Sequence, residues 1–189
     1  MYFFFDTETT GLPINWDAPI DDFENWPRLV QIAWLIYDED ANSIERYCSI
    51  IQPEGFRIPA DAAAVHGITT EMAYDQGVPL IDVLEEFTKK INQCQGIVAH
   101  NISFDEKIIK CELLRKDILH TFDIKKKFCT MLSSVNLCKL PSHRGYKWPK
   151  LIELYQILFK EEFEGAHDAL VDVEACARCF WKLRQLHYL

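Results

Sequence analysis

The sequence predicts an α/β domain on a mixed sheet, and three observations predict it. Apolar β-type runs come first as a meander and then alternate with helical segments, an order that gives a mixed sheet. The chain has 189 residues, 49% hydrophobic and 26% charged. Those values describe one globular domain with enough core to fold without disulfides or metal. Finally, three acid-bearing segments each sit where one apolar element gives way to the next. Residues 1–189 are therefore read as a single domain.

Tyr2 to Phe5 is a short β-type run that ends at Asp6. Gly11 and Pro13 break the pattern. Residues 13–27 carry Pro13, Asp17, Pro19, Asp21, Asp22 and Pro27, so they read as a loop insertion. Leu29 to Tyr37 reads as a central strand and Ile44 to Ile51 as its neighbour, with 38–42 as a hairpin connection. Residues 61–66 and 70–75 read as short helical turns. Leu80, Val83, Leu84, Phe87 and Ile91 repeat at helical spacing and predict a helix over 79–93. Gly96 to His100 is a short buried strand. Phe104, Ile108, Ile109, Cys111, Leu113 and Leu114 mark an amphipathic helix. Residues 122–130 read as another strand. Helices follow over 130–138 and 149–159, the second with Pro149 at a first-turn position. A last helix over 168–187 carries Leu170, Val173, Cys176, Ala177, Phe180 and Leu183 on one face.

The formal net charge is −9, with 20 basic and 29 acidic side chains. Taken alone, that argues against a polyanionic partner. The charge is unevenly spread. Residues 107–150 hold 11 of the 20 cationic side chains and only 3 acidic ones. Such a stretch is either a solvated face or a docking strip for an anion. Its members include Lys125, Lys126, Lys127, Lys139, His143, Arg144, Lys147 and Lys150. No apolar run reaches the ~20 residues of a membrane-spanning helix. The apolar start lacks a basic leader and a small-residue cleavage site, so no secretory signal is read there. Seven irregularly spaced cysteines suggest reduced thiols and a cytoplasmic protein. Cys176 and Cys179 form a C-x-x-C inside a helix with no second pair at zinc spacing, and read as inert.

Three segments carry chemistry. In Asp6-Thr-Glu8-Thr-Thr-Gly11-Leu12 a strand feeds two carboxylates at i and i+2, which share a face. Two buried like charges repel, and a hard divalent cation relieves the conflict. In Ala99-His100-Asn101-Ile102-Ser103-Phe104-Asp105 a strand end runs into a helix whose first turn holds Asp105. In Ala166-His167-Asp168-Ala169-Leu170-Val171-Asp172, Asp168 is a candidate N-cap, Asp172 follows one turn later, and His167 stands ahead of the helix as a candidate general base. Each segment alone also reads as ordinary structure: a solvated strand end, a first-turn acid, a capped helix.

Taken in order, the three segments resemble the motifs of the DEDDh, or DnaQ-like, 3′–5′ exonucleases of the ribonuclease H-like superfamily. The resemblance spans residues 2–180. Val65-His66-Gly67-Ile68-Thr69 also resembles a family segment near the substrate. The resemblance implies a five-stranded mixed β-sheet flanked by α-helices. It implies that Asp6, Glu8, Asp105 and Asp172 hold two Mg²⁺ or Mn²⁺ ions about 3.5–4 Å apart. Asp6 would bridge them, Glu8 and Asp172 would complete the nucleophile side, and Asp105 would serve the second ion, partly through water. His167 would act as general base in hydrolysis of the terminal phosphodiester to 5′-mononucleotides. Thr9, Gly11 and Leu12 would bracket the terminal nucleotide of a single-stranded 3′ end, with His66, Asn101 and Phe104 as further contacts.

Two other readings remain at this stage. One is an oligoribonuclease-like hydrolase of short oligonucleotides. The other is a non-catalytic nucleic-acid-binding or polymerase-accessory (proofreading) module, which has no need of a buried acidic cluster. Trp16, Phe23 and Trp26 read either as base-stacking groups or as an aromatic lid packed on the sheet. The negative balance predicts end-bound or short substrates, modest affinity and strong metal dependence.

Overall fold

The computed structural model describes residues 1–143 and 145–189; Arg144, one of the candidate phosphate contacts, lies outside them. Five strands form the main sheet: β1 (Tyr2–Thr9), β2 (Leu29–Tyr37), β3 (Ser43–Ile50), β4 (Gly96–Ala99) and β5 (Lys126–Cys129). Their order is β3-β2-β1-β4-β5. The first three pair antiparallel, and β1–β4 and β4–β5 pair parallel, so the sheet is mixed. The helices are α1 (Ala60–His66), α2 (Thr70–Gln76), α3 (Leu80–Gln93), α4 (Ile102–Arg115), α5 (Thr130–Ser133), α6 (Val135–Cys138), α7 (Leu151–Phe159) and α8 (Ala169–Gln185). A two-stranded hairpin, β6 (Pro141–Ser142) and β7 (Gly145–Tyr146), stands apart from the sheet.

The central strand β1 is buried on both faces, and its alternation sorts the core into two halves. Phe3 and Phe5 face one way, with Ile32, Trp34 and Ile36 of β2, against α3 and α4. Phe87 of α3 meets Phe3 edge-on at 4.9 Å and Phe5 at 5.6 Å. Tyr2 and Phe4 face the other way, with Ala33 and Leu35, against Val173, Cys176, Ala177 and Phe180 of α8. Helix α8 is held there by its apolar stripe and begins at an Asp168 N-cap, whose side chain accepts the Leu170 N–H at 2.9 Å. Gly96 lets β1, β4 and β5 close up: a Cβ there would lie 2.8 Å from the Phe128 ring.

Several boundaries differ from expectation for local physical reasons. Strand β1 continues past Phe5 to Thr9, because Asp6, Thr7 and Glu8 keep pairing with Ala33, Ile32 and Gln31. The 122–130 segment begins as a 3-10 turn (Phe122–Ile124) that drives Phe122 into the core before β5 starts. The 130–138 segment is two short helices rather than one. Pro149 is not in a first helical turn; α7 starts at Leu151, after Lys150, whose N–H is taken by Glu153 Oε2 at 2.8 Å.

The 13–27 insertion packs as a lid. Trp26 is buried, with its indole N–H donated to Pro19 O at 2.9 Å. Lys107 Nζ donates to Trp16 O at 2.6 Å, and Arg115 donates to Phe23 O at 2.6 Å while lying over the Phe23 ring. Under it, Glu112 of α4 accepts Arg28 Nε at 2.8 Å and the Leu29 N–H at 3.0 Å. All seven cysteines are unpaired. Among the described residues, no helix is long and apolar enough to cross a membrane.

Candidate active site

The catalytic candidates meet where β1, β4 and the start of α8 come together. Asp6 and Glu8 extend the face of β1 that carries Tyr2 and Phe4, the face on which α8 lies. Asp172, in the first turn of α8, is therefore brought over them. The α8 start is tied to the sheet by Gln31 of β2, whose Oε1 accepts the Ala169 N–H at 3.0 Å. Nothing in the sequence marked Gln31, because its role depends on the strand register that sets it opposite Glu8.

Asp105 arrives from the other side. It is buried in the first turn of α4, after Asn101 in the left-handed region (φ 64°). Its Oδ1 accepts both the Thr7 N–H at 3.1 Å and the Thr7 hydroxyl at 2.8 Å. His167 also has left-handed backbone (φ 71°), and its N–H is donated to Asp172 Oδ2 at 2.9 Å. Ligand atoms of Glu8, His167 and Asp172 lie within 4.8 Å of one another.

Burial works against ionisation at each of these carboxyl groups. Burial, then the charges of Asp105, Asp172 and Glu8, push the Asp6 carboxyl well above its ordinary range. Burial and the neighbouring Asp172 and Asp105 charges push Glu8 up to about 8. Burial raises Asp105 to about 7 against the opposing Thr7 hydrogen bonds. Asp172 is raised by burial too, against the His167 N–H. Four carboxylates that penalise one another's charge, offering only hard oxygen donors, fit divalent cations such as Mg²⁺ or Mn²⁺.

Five of the six predicted substrate contacts line one cavity of about 320 Å³ beside this cluster: Thr9, Gly11, Leu12, His66 and Phe104, together with Glu8 and His167. Leu12 is 72% exposed at its rim, and Gly11 has φ 144°, a conformation open to glycine. The Thr9 hydroxyl donates to Gly11 O at 2.6 Å and fixes that turn. His66 Nδ1 accepts the Ile68 N–H at 3.1 Å, which leaves the ring proton on Nε2. Burial lowers the His66 pKa. Asn101 lies elsewhere, in a second cavity of about 570 Å³ that His167 also borders.

The basic strip is largely spent inside the fold. Lys127 pairs with Glu106 at 2.7 Å, Lys116 with Glu54 at 2.7 Å, Lys110 with Glu106 and Asp123 at 2.5 Å, and Lys147 with Glu153 at 2.5 Å. Lys125 Nζ donates to Cys94 O at 2.7 Å. Cys176 and Cys179 are buried, with thiols pushed above their ordinary range by that burial. His100, of the Ala99–Asp105 segment, bonds Thr130 Oγ1 and Pro149 O, each at 3.0 Å.

Comparison with known proteins agrees with this geometry. The RNase_T family model, described as Exonuclease, matches residues 3–180. The chain is 30% identical over 185 residues to the 3′-5′ exonuclease DinG of Bacillus subtilis (strain 168), covering 97% of this chain and 18% of that protein's length. Escherichia coli exonuclease I, solved in complex with a dT13 oligonucleotide, superposes with a TM-score of 0.75 at 19% identity, over 99% of this chain and 42% of that one. Exonuclease X, in complex with 5′ overhanging duplex DNA, superposes with a TM-score of 0.65 at 21% identity, over 100% of this chain and 95% of that one.

Proposed function

The chain belongs to the RNase_T exonuclease family, and from that premise we propose that it is a divalent-metal-dependent 3′–5′ exonuclease acting on single-stranded 3′ ends. The observation that carries the proposal is the convergence of Asp6, Glu8, Asp105 and Asp172 with His167 beside a nucleoside-sized cavity. The neighbours solved with a dT13 oligonucleotide and with overhanging duplex DNA support DNA as the substrate class.

In this reading the four carboxylates hold two Mg²⁺ or Mn²⁺ ions. When bound, such ions supply charge stabilisation for a phosphoryl group and lower the pKa of water. The cavity rimmed by Leu12 and Phe104 binds the terminal nucleoside and orients its 5′ phosphodiester toward His167. The His167 imidazole accepts the proton of the attacking water. The water oxygen bonds phosphorus, the bond to the upstream 3′ oxygen breaks, that oxygen takes a proton from solvent to become the new 3′ hydroxyl, and a 5′-mononucleotide leaves. The Asp172 contact to the His167 N–H holds the left-handed turn that presents the ring.

The test is a digestion panel of end-labelled single-stranded DNA, single-stranded RNA, duplex and dinucleotide in Mg²⁺ and Mn²⁺. Stepwise release of 5′-mononucleotides from the 3′ end is expected, abolished in Asp6→Asn and in His167→Ala. Full activity in either folded variant, or cleavage from the 5′ end, overturns the proposal.

A further inference from the structure

The second cavity, of about 570 Å³, starts at His167 and Asp172 and runs past Asn101 to Trp148 and Lys150. His167 lines both this cavity and the one that holds Leu12, so the two adjoin at the catalytic cluster. Trp148 is 64% exposed although its neighbour Pro149 is buried. A side chain of that size left in water is not explained by packing.

The segment that carries Trp148 is held in place. The Pro149 carbonyl can only accept, so His100 donates to it through Nε2–H at 3.0 Å, and His100 Nδ1 accepts the Thr130 hydroxyl at 3.0 Å. Thr130 is fully buried and lies 3.6 Å from Cys176 Sγ, on the helix that carries Asp172. Burial drives the His100 pKa down to about 4, so the ring stays neutral and keeps this tautomer at neutral pH. On the other side, Glu153 takes the Lys150 N–H at 2.8 Å and pairs with Lys147. The backbone on either side of Trp148 is thereby held, and Trp148 and Lys150 line the same groove as His167 and Asp172.

We propose that this groove binds the nucleotides immediately upstream of the terminal one, with a base stacked on Trp148 and a backbone phosphate drawn to Lys150. The proposal rests on the exonuclease reading above. With the terminal nucleoside in the Leu12 cavity and the scissile phosphate at His167, the strand continues into the adjoining cavity that His167 also lines. Stacking on an indole accepts any base, so the groove supplies affinity without sequence preference. His100 is a positioning residue: it acts through Pro149.

Two substrates separate this proposal from its premise. A p-nitrophenyl ester of a mononucleotide carries no upstream base or backbone phosphate, whereas oligothymidylates of about four to eight nucleotides extend along the groove. Trp148→Ala is expected to raise KM for the oligonucleotides about tenfold or more, the loss of one stacked base. It leaves hydrolysis of the small ester at wild-type rate, and Trp148→Phe recovers most of the lost affinity. Failure of the wild type to release 5′-mononucleotides from the oligothymidylates in Mg²⁺ or Mn²⁺ would sink the exonuclease premise, and the proposal with it. Equal oligonucleotide affinity of wild type and Trp148→Ala, read by fluorescence anisotropy, sinks the groove alone and leaves Trp148 as a protein contact.

Discussion

The Thr7 hydroxyl and the Thr7 N–H both donate to one oxygen of Asp105, at 2.8 and 3.1 Å. This double bond of donor groups joins the middle of β1 to the first turn of α4, on the face of the strand opposite Asp6 and Glu8. It fixes the rotamer of the buried carboxylate and leaves its second oxygen for other work. Removing the hydroxyl in Thr7→Val keeps the side-chain shape but loosens Asp105. Activity is expected to fall about 10–100-fold, the usual effect of cutting a partner that orients a metal-binding group. Thr7→Ser, which keeps the hydroxyl, should stay close to wild type. A Thr7→Val variant with unchanged kcat/KM would contradict the role.

The raised carboxyl pKa values predict how metal and pH act on stability. Glu8 rises to about 8 and Asp105 to about 7, both above their ordinary values. Their stabilising contribution in metal-free protein is therefore fully present below the unfolded-state pKa of about 4. It is lost as pH rises through the folded-state values. Melting of metal-free protein should fall from pH ~5 to pH ~8, and the gain on adding Mn²⁺ should grow over the same window as protons cease to compete. A Mn²⁺ shift that is flat with pH, or that shrinks toward pH ~8, would refute the prediction.

Glu112 is buried between Arg28 and Arg115, with its side chain 1% exposed. Glu112→Ala leaves two guanidinium groups short of their shared partner and should cost about 3 kcal/mol in urea denaturation, the low end for a broken buried pair because both arginines keep some solvent. The same variant should speed hydrogen exchange in residues 13–27, which Arg115 latches to α4.

Phe87 touches Phe3, Phe5, Trp34 and Phe122, four other rings of one core half. Phe87→Ala should destabilise by about 3–5 kcal/mol, read from the denaturation midpoint. Phe87→Leu should recover more than half of that loss.

Much of the fold could be read from periodicity. Leu29–Tyr37 is a strand at the limits its apolar run suggested, and the Asp6, Asp105 and Asp172 segments fall at the strand and helix junctions expected of them. The misread parts depend on long-range contacts. Strand β1 runs on to Thr9 because β2 pairs with it, which the acids at 6 and 8 disguise. The basic stretch reads equally as a solvated face or an anion-docking strip, because counter-charges such as Glu54 for Lys116 lie far away in sequence. The β6–β7 hairpin has two exposed residues per strand and no alternation to reveal it. Five of the motif residues proposed from the sequence as substrate contacts line one cavity, and the sixth, Asn101, lines the other cavity that His167 borders.

The pleat of β1 acts as a ruler. Asp6, Thr7 and Glu8 are consecutive on one strand buried at the centre of the sheet, so the spacing of the two face-sharing carboxylates is set by covalent geometry at roughly two strand rises. Asp172 has no such constraint. It rides on α8, and its distance from that ruler is set by the Gln31 bond at the helix start and by what lies beneath the helix, Val173, Cys176 and Ala177 against Phe4 and Ala33. The site is thus a fixed jaw and an adjustable one. Volume changes at residue 173, 176 or 177, remote from any substrate, should set the gap between the jaws and thereby grade metal preference by ionic radius.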